Sequence, residues 1–356
     1  MPAFHTLKIK EVRRETDECV SIVFEVPEGL RPDYAFTQGQ YLTLRAALDG
    51  EEVRRSYSIC SSPVENELRV AVKRVEGGRF STYANEVLRE GQSIEVMTPM
   101  GRFHTPLDPA NAKHYVAFAA GSGITPVMSI LKTVLLREPR SRFTLFYGNR
   151  RADSIIFREE LEALKNRFMG RLGVHHVLSR ELLDSDLFCG RLDADKTRAY
   201  CRFLIDPAEV DEFFLCGPYP MIEGVSEALQ ELGVDKRHIH FELFTPAGGW
   251  KDARQAGPQK REKVEATVTV TLDGKSFAFP MSSAEENILE AAQRTGADLP
   301  YACKGGVCST CRAHLEEGEV EMAVNYALEE DEVAAGYILT CQAYPKSKHV
   351  KVNFDA

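Results

Sequence analysis

Residues 301–311 read YACKGGVCSTC, and a fourth cysteine follows thirty positions later in GYILTCQAYP, at Cys341. The spacing is Cys303-x4-Cys308-x2-Cys311-x29-Cys341. Structural zinc sites usually offer two short knuckles, and this stretch contains one C-x2-C pair. Three thiolates from one loop and a fourth from a distant strand follow the plant-type [2Fe–2S] order instead, with zinc or incidental cysteines as the alternatives. Gly305 and Gly306 suit a loop wrapped closely around a cluster: they lack a Cβ, and their backbone N–H groups can point at sulfur.

Around this loop the chain takes the pattern of a small α+β domain. EATVTVTLDGKSFAFP reads as a hairpin, ENILEAAQRTG as a helix, and RAHLEEGEV, YILTCQAY and HVKVNF as strands. Upstream, residues 245–263 (TPAGGWKDARQAGPQKREK) carry glycines, prolines and basic residues with no apolar period, which predicts a linker. Trp250, the sole tryptophan, falls within it. The first 105 residues alternate apolar and polar positions in short runs such as CVSIVFEV and ELRVAVKRV, with RFSTYANEVLRE as the one helical segment, predicting an antiparallel barrel or sandwich. Residues 106–244 alternate strand-like runs (YVAFAA, FTLFYGN, GVHHVLS, EFFLCGP, IHFELF) with helical patterns (PVMSILKTVLLRE, SIIFREELEALKNRF, MIEGVSEALQEL), which predicts crossovers and a parallel sheet.

At 356 residues, 44% apolar and 27% charged, the chain is ordinary globular material, long enough for two or three domains. The N-terminus reaches charge at once, and the longest uncharged run is broken by Gly and Pro, so neither a secretion signal nor a membrane span is expected. Cys19, Cys60, Cys189, Cys201 and Cys216 are scattered through apolar contexts, as suits reduced thiols in a cytoplasmic protein. The net charge of −9 is uneven: from Val264 onward 15 acidic residues face 7 basic ones, leaving −1 for all the rest. Such a surface disfavours nucleic acid and favours a protein with a basic patch, the run Glu329, Glu330, Asp331, Glu332 being its densest part.

A one-electron carrier needs a source of single electrons, and flavins convert nicotinamide hydride into them. Arg55-Ser56-Tyr57-Ser58 ends a strand, and Gly77-Gly78-Arg79-Phe80-Ser81 opens the helix of the first domain. An arginine offers a fork of donors to phosphate, a tyrosine can lie against an isoalloxazine, and a glycine-rich helix N-terminus presents N–H groups to a pyrophosphate. In the second domain Gly121-Ser122-Gly123-Ile124-Thr125-Pro126 follows the first strand, with Pro126 where a dinucleotide fingerprint has its third glycine. Cys216-Gly217-Pro218 ends a later strand at the edge where open parallel sheets bind ligands. Each piece alone is an ordinary strand end or turn.

Together and in order these motifs resemble the ferredoxin–NADP reductase superfamily with a C-terminal plant-type ferredoxin attached. The resemblance implies a multidomain fold: an antiparallel β-barrel flavin domain (1–105), an α/β parallel-sheet nicotinamide domain (106–244), a linker (245–263) and a β-grasp-like [2Fe–2S] domain (264–356). It implies that Arg55, Tyr57 and Ser58 hold FAD, with Ser58 near the ring N5, and that Gly78 and Ser81 meet its pyrophosphate. Gly121, Gly123, Thr125, Gly217 and Pro218 would cradle the dinucleotide, Cys216 and Glu242 would lie at the hydride locus, and Cys303, Cys308, Cys311 and Cys341 would bind the cluster. Ser179-Arg180-Glu181 resembles the stretch of NADP-specific members and Arg150 stands nearby, so NADPH is expected over NADH. The implied partner is the oxygenase component of a multicomponent monooxygenase, with another oxygenase, a hydroxylase or an acyl desaturase as the alternative acceptor and a redox sensor as the remote alternative. His238 and His240 show no third ligand in the sequence and are expected to be structural. His175 and His176, as strand neighbours, point to opposite faces.

Overall fold

The computed structural model describes residues 3–244 and 263–356. Trp250 and the predicted linker, apart from Lys263, lie outside the described residues. Residues 4–53 with 57–244 form one compact unit, and residues 263–356 belong to a second.

The first unit begins with six antiparallel strands: β1 (Phe4–Thr16), β2 (Cys19–Glu25), β3 (Tyr41–Leu48), β4 (Glu51–Ser58), β5 (Leu68–Lys73) and β6 (Ser93–Met97). Their order is β4-β3-β6-β1-β2-β5, and an antiparallel bridge from Ile59 to Val70 links the two ends, closing a barrel. The period of two is visible in β5: Leu68, Val70 and Val72 enter the barrel core, while Ala71 joins the core shared with the nucleotide domain. The predicted helix is α1 (Arg79–Glu86), whose Phe80 and Ala84 cover the barrel interior.

Five parallel strands follow: β7 (His114–Ala120), β8 (Arg142–Asn149), β9 (Leu172–Leu178), β10 (Glu212–Gly217) and β11 (Ile239–Leu243), in the order β11-β10-β7-β8-β9. All five match the apolar runs of the sequence. Their helices are α2 (Ile124–Arg137), α3 (Arg158–Arg167), α4 (Ala194–Phe203) and α5 (Tyr219–Glu231). The third begins later than its apolar pattern implies, because Phe157 adopts φ +61° and prevents a helical start at Ser154. Helix α4 was not foreseen; its signal is Asp193, which accepts from the Lys196 N–H as an N-cap. Chain order runs outward from β7 on one side to β9 and on the other through β10 to β11, so the topological switch point lies between β7 and β10.

The second unit contains β12 (Glu265–Leu272), β13 (Lys275–Ser282), α6 (Ile288–Arg294), β14 (Arg312–Glu317), β15 (Val320–Met322), α7 (Glu330–Ala334), β16 (Tyr337–Leu339), β17 (Ala343–Pro345) and β18 (His349–Asn353). Its main sheet runs β13-β12-β18-β14-β16, with β12 and β18 parallel. Ile288, Leu289, Ala291 and Ala292 of α6 fill the core beside it, and the Asn287–Glu290 capping box starts that helix. Helix α7 was not foreseen either; it is one turn held by a Glu329–Glu332 capping box.

Of the scattered cysteines, Cys19, Cys60, Cys201 and Cys216 are buried and Cys189 is partly exposed, all as free thiols. Burial pushes the Cys60 thiol up to about 12 and Cys201 to about 11. Among the described residues no helix is long and apolar enough to cross a membrane.

Candidate functional site

The cysteine loop is built from backbone conformations that few residues adopt. Lys304, Gly306 and Ser309 all have positive φ, at +51°, +74° and +50°. A Cβ on Gly306 would also press to 3.2 Å on the Val324 carbonyl oxygen, so glycine is needed there twice over. This winding turns the Gly305 N–H toward Cys303 Sγ at 3.3 Å, as the glycines predicted. Thr340 donates through its N–H and hydroxyl to the Cys311 carbonyl, at 3.1 and 3.0 Å, and so fixes beside the loop the turn after β16 that carries Cys341, which lies just past the strand rather than on it. The thiols interact as two pairs, Cys303 with Cys308 and Cys311 with Cys341. The Cys308 thiol and the surrounding N–H groups draw Cys303 down to about 6. Cys308 and Cys311 are pushed well up, by their partner thiols and by burial. Two adjacent thiol pairs surrounded by N–H donors fit a [2Fe–2S] centre, which these four cysteines would hold as thiolates.

In the first unit the two strand ends predicted to carry chemistry meet. Ser58, at the end of β4, donates its hydroxyl to Glu242 of β11 at 2.8 Å. Glu242 lies in register beside Cys216 on β10. Burial raises the Glu242 carboxyl to about 7 against the lowering effect of the Ser58 hydrogen bond, and burial drives the Cys216 thiol far up. These three residues, distant in sequence, therefore form one cluster holding a proton near neutrality.

The dinucleotide loop lies beside that cluster. Gly121 needs its φ of +55°, and the buried Tyr147 donates its hydroxyl to the Gly121 carbonyl at 3.0 Å. A Cβ on Gly123 would drive into the Cys216 carbonyl and come within 2.9 Å of the Gly217 nitrogen, so this glycine lets the loop cross the end of β10. The N-terminus of α2 has no side-chain cap, and Thr125 gives its hydroxyl to the Ser122 carbonyl at 3.0 Å. The Ile124 N–H is taken by the Gly121 and Ser122 carbonyls and Pro126 has none, so what this helix start offers an anion is chiefly the positive end of its dipole. Pro218 is the N-cap of α5.

On the barrel, Tyr57 is half-buried with its ring 5.6 Å from Phe80, and Arg55 is exposed. Helix α1 starts at Gly78, also without a side-chain cap. The Ser81 hydroxyl faces inward, accepting from the Val75 N–H at 3.1 Å and donating to the Gly78 carbonyl at 3.2 Å. It shapes the Gly77-Gly78 turn, and no side chain caps the N–H groups of the helix start. Across the sheet, the Ser179 and Arg180 N–H groups donate to the Asn149 and Arg150 carbonyls, both at 2.9 Å. Arg150, Ser179 and Arg180 are thus gathered at one corner, with both guanidinium groups exposed. Glu181 takes the Ala152 N–H and lies 3.6 Å from Arg151, so its charge is turned to that residue.

Both histidine pairs are structural. His175 stacks between Phe146 and Phe188, while His176 turns to Tyr147. His240 bonds Glu212 at 2.9 Å and His238 lies 3.5 Å from the same oxygen, a carboxylate that no sequence motif announces. Lys113, 3.2 Å from the other oxygen, completes an ionic cluster.

Family models match three segments: an oxidoreductase FAD-binding domain over residues 7–105, an oxidoreductase NAD-binding domain over 118–227 and a 2Fe-2S iron-sulfur cluster binding domain over 270–346. The chain is 47% identical over 357 residues to a component of 1,2-phenylacetyl-CoA epoxidase from Escherichia coli K12, covering 100% of this chain and 99% of that one. It is 37% identical to the ferredoxin reductase component of 3-ketosteroid-9-alpha-monooxygenase from Rhodococcus rhodochrous, covering 98% and 96%. Among solved structures it is similar to phthalate dioxygenase reductase, with a TM-score of 0.60, 26% identity and coverage of 99% and 98%.

Proposed function

Since the chain belongs to the family of FAD- and [2Fe–2S]-containing reductase components of oxygenases, we propose that it takes hydride from NADPH and delivers single electrons to the oxygenase component of a phenylacetyl-CoA epoxidase. It would do so in the cytoplasm, where the five cysteines outside the cluster loop stay reduced. The observation that carries this reading is the meeting of Ser58, Cys216 and Glu242, because it joins the end of a barrel strand to the edge of the parallel sheet where a nicotinamide would enter.

FAD, when bound, accepts electrons as a pair and releases them singly to the iron–sulfur centre. The residues divide the remaining work. Arg55 and the uncapped start of α1 at Gly78 would hold the flavin phosphates, with Ser81 shaping the turn, and Tyr57 would meet the ring. Gly121, Gly123 and Thr125 bring the start of α2 to the nicotinamide pyrophosphate, and Gly217 and Pro218 line the opposite wall. Arg150, Ser179 and Arg180 select a 2′-phosphate, supported by two exposed guanidinium groups with no ion pair among the described residues. Ser58 orients Glu242, and Glu242 holds or yields a proton beside the transferred hydride. Cys216, kept as the neutral thiol, adds no competing charge. Cys303, Cys308, Cys311 and Cys341 hold the cluster, and the acidic surface around α7 receives a basic face of the oxygenase.

Titration with NADPH and NADH, followed by optical and paramagnetic resonance spectra and then addition of the epoxidase oxygenase with phenylacetyl-CoA, tests the reading. Flavin bleaching, a [2Fe–2S] signal and epoxide formed only with the oxygenase present are expected. Reduced cofactors without epoxide would move the assignment to another oxygenase, such as one acting on ketosteroids.

A further inference from the structure

The helix that follows the dinucleotide loop is fixed to the flavin barrel by buried charge. Lys132 lies in the middle of α2 with a side chain only 3% exposed, and its ammonium reaches Glu65 at 2.6 Å and Glu160 at 2.7 Å. Arg69, on the outward face of β5 and equally hidden, donates to both oxygens of Glu160 at 2.9 and 2.8 Å and lies 3.2 Å from Glu67. Glu160 is on α3. Although burial works against its ionised form, the two cations hold its carboxyl below the usual range. Barrel strand β5 and the two nucleotide-domain helices thus meet on the Glu160 carboxylate, and the barrel turn with Glu65 joins them through Lys132. The same face of α2 adds Ser129, donating to the Ser61 carbonyl at 2.6 Å, and Thr133, 2.8 Å from the Ser62 hydroxyl.

A buried ion pair is often neutral or inferior to apolar residues of the same volume, so its distinctive property is direction. Cys19, Cys60, Ala71 and Phe103 already supply apolar contact between the barrel and this domain. Apolar contact is non-directional and tolerates sliding, whereas charge-assisted hydrogen bonds fix distance and angle. Lys132 stands two turns along α2 from Thr125, about 10 Å down a stiff helix at 1.5 Å per residue. A slip at Lys132 would therefore be carried to the loop.

We propose that Lys132, Glu160 and Arg69 are positioning residues for hydride transfer: they hold α2, and with it the dinucleotide loop, in a single registry against the flavin barrel. This rests on the hydride route set out above. Two variants of the cofactor-loaded protein test it, Glu160→Gln, which keeps the shape and removes the charge, and the apolar triple variant Arg69→Met/Lys132→Met/Glu160→Leu. The measurements are FAD content, melting temperature, amide hydrogen exchange along α2, dissociation constant for the oxidised nucleotide, and limiting rate of flavin bleaching with 4-deuterated and ordinary reduced nucleotide.

The triple variant is expected to keep its FAD and bind nucleotide within about threefold, while α2 exchanges faster, the limiting rate falls about tenfold or more, and the isotope effect grows. Glu160→Gln should show the same pattern, weaker. A role confined to stability would lower the melting temperature and the FAD content and leave the rate per bound flavin unchanged. Rate and isotope effect equal to the parent in either folded variant overturn the proposal, and if the triple variant does not fold, Glu160→Gln alone decides. A parent protein bleached by neither NADPH nor NADH would instead overturn the hydride route itself.

Discussion

Replacing Ser58 with alanine should move a titration in a direction fixed by the geometry. Glu242 sits at about 7 where a glutamate ordinarily titrates at 4.5, a gap equivalent to about 3 kcal/mol held against the ionised form. Because the folded value lies above the unfolded one, this cost is absent below the unfolded value, grows between the two, and is complete above about 7. Ser58 relieves part of it by donating to the carboxylate at 2.8 Å. A hydrogen bond to a charged group contributes about 1.5–3 kcal/mol, so its loss should raise Glu242 by about one to two pH units. In anaerobic rapid mixing with NADPH, the parent rate of flavin bleaching should bend near pH 7, Ser58→Ala should bend at about pH 8 to 9, and Glu242→Gln should show no bend there. The position of the bend is the readout, whatever happens to the absolute rate. An unmoved or lower bend in Ser58→Ala would show that the 2.8 Å contact does not govern Glu242.

Cys308→Ser should remove the cluster, seen as lost iron and lost paramagnetic signal, yet leave flavin bleaching by NADPH intact; retained iron would break the ligand assignment. Arg180→Ala should cost about tenfold in affinity for NADPH and little for NADH, read from paired titrations, and an unchanged ratio would remove Arg180 from the 2′-phosphate site. Glu330→Lys with Asp331→Lys should slow electron delivery to the oxygenase severalfold and flatten its dependence on salt, whereas equal rates would make the acidity a matter of solubility alone. Glu332 does not belong in that set: it is buried 3.1 Å from Arg312 and caps α7, so reversing it would damage the fold first.

The sequence revealed what is periodic and local. All five parallel strands and the cysteine loop were legible because apolar runs, glycines and thiol spacing are written in consecutive residues. The resemblance gave Ser58 and Glu242 separate roles, and their contact was not legible, since 184 positions separate the pair and no local pattern announces it. Arg69 shows the limit most clearly. Alternation in β5 put it on the outward face of the barrel, which reads as solvent until a second domain covers it. Lys132, a lone charge inside the apolar run PVMSILKTVLLR, was the available warning. The acidic run misled in one place, because Glu332 turns inward as the cap of a helix too short to show a period.

The burial of Cys19, Cys60, Cys201 and Cys216 bears on chemical vulnerability. Thiols react as thiolates, and at neutral pH these four hold their protons and lie away from solvent. Alkylating agents and peroxide should therefore pass over the hydride-handling half of the molecule, with partly exposed Cys189 its only easy target among the described residues. For a carrier of single electrons, which oxygen can intercept, such burial is expected to spare these thiols from any peroxide formed nearby.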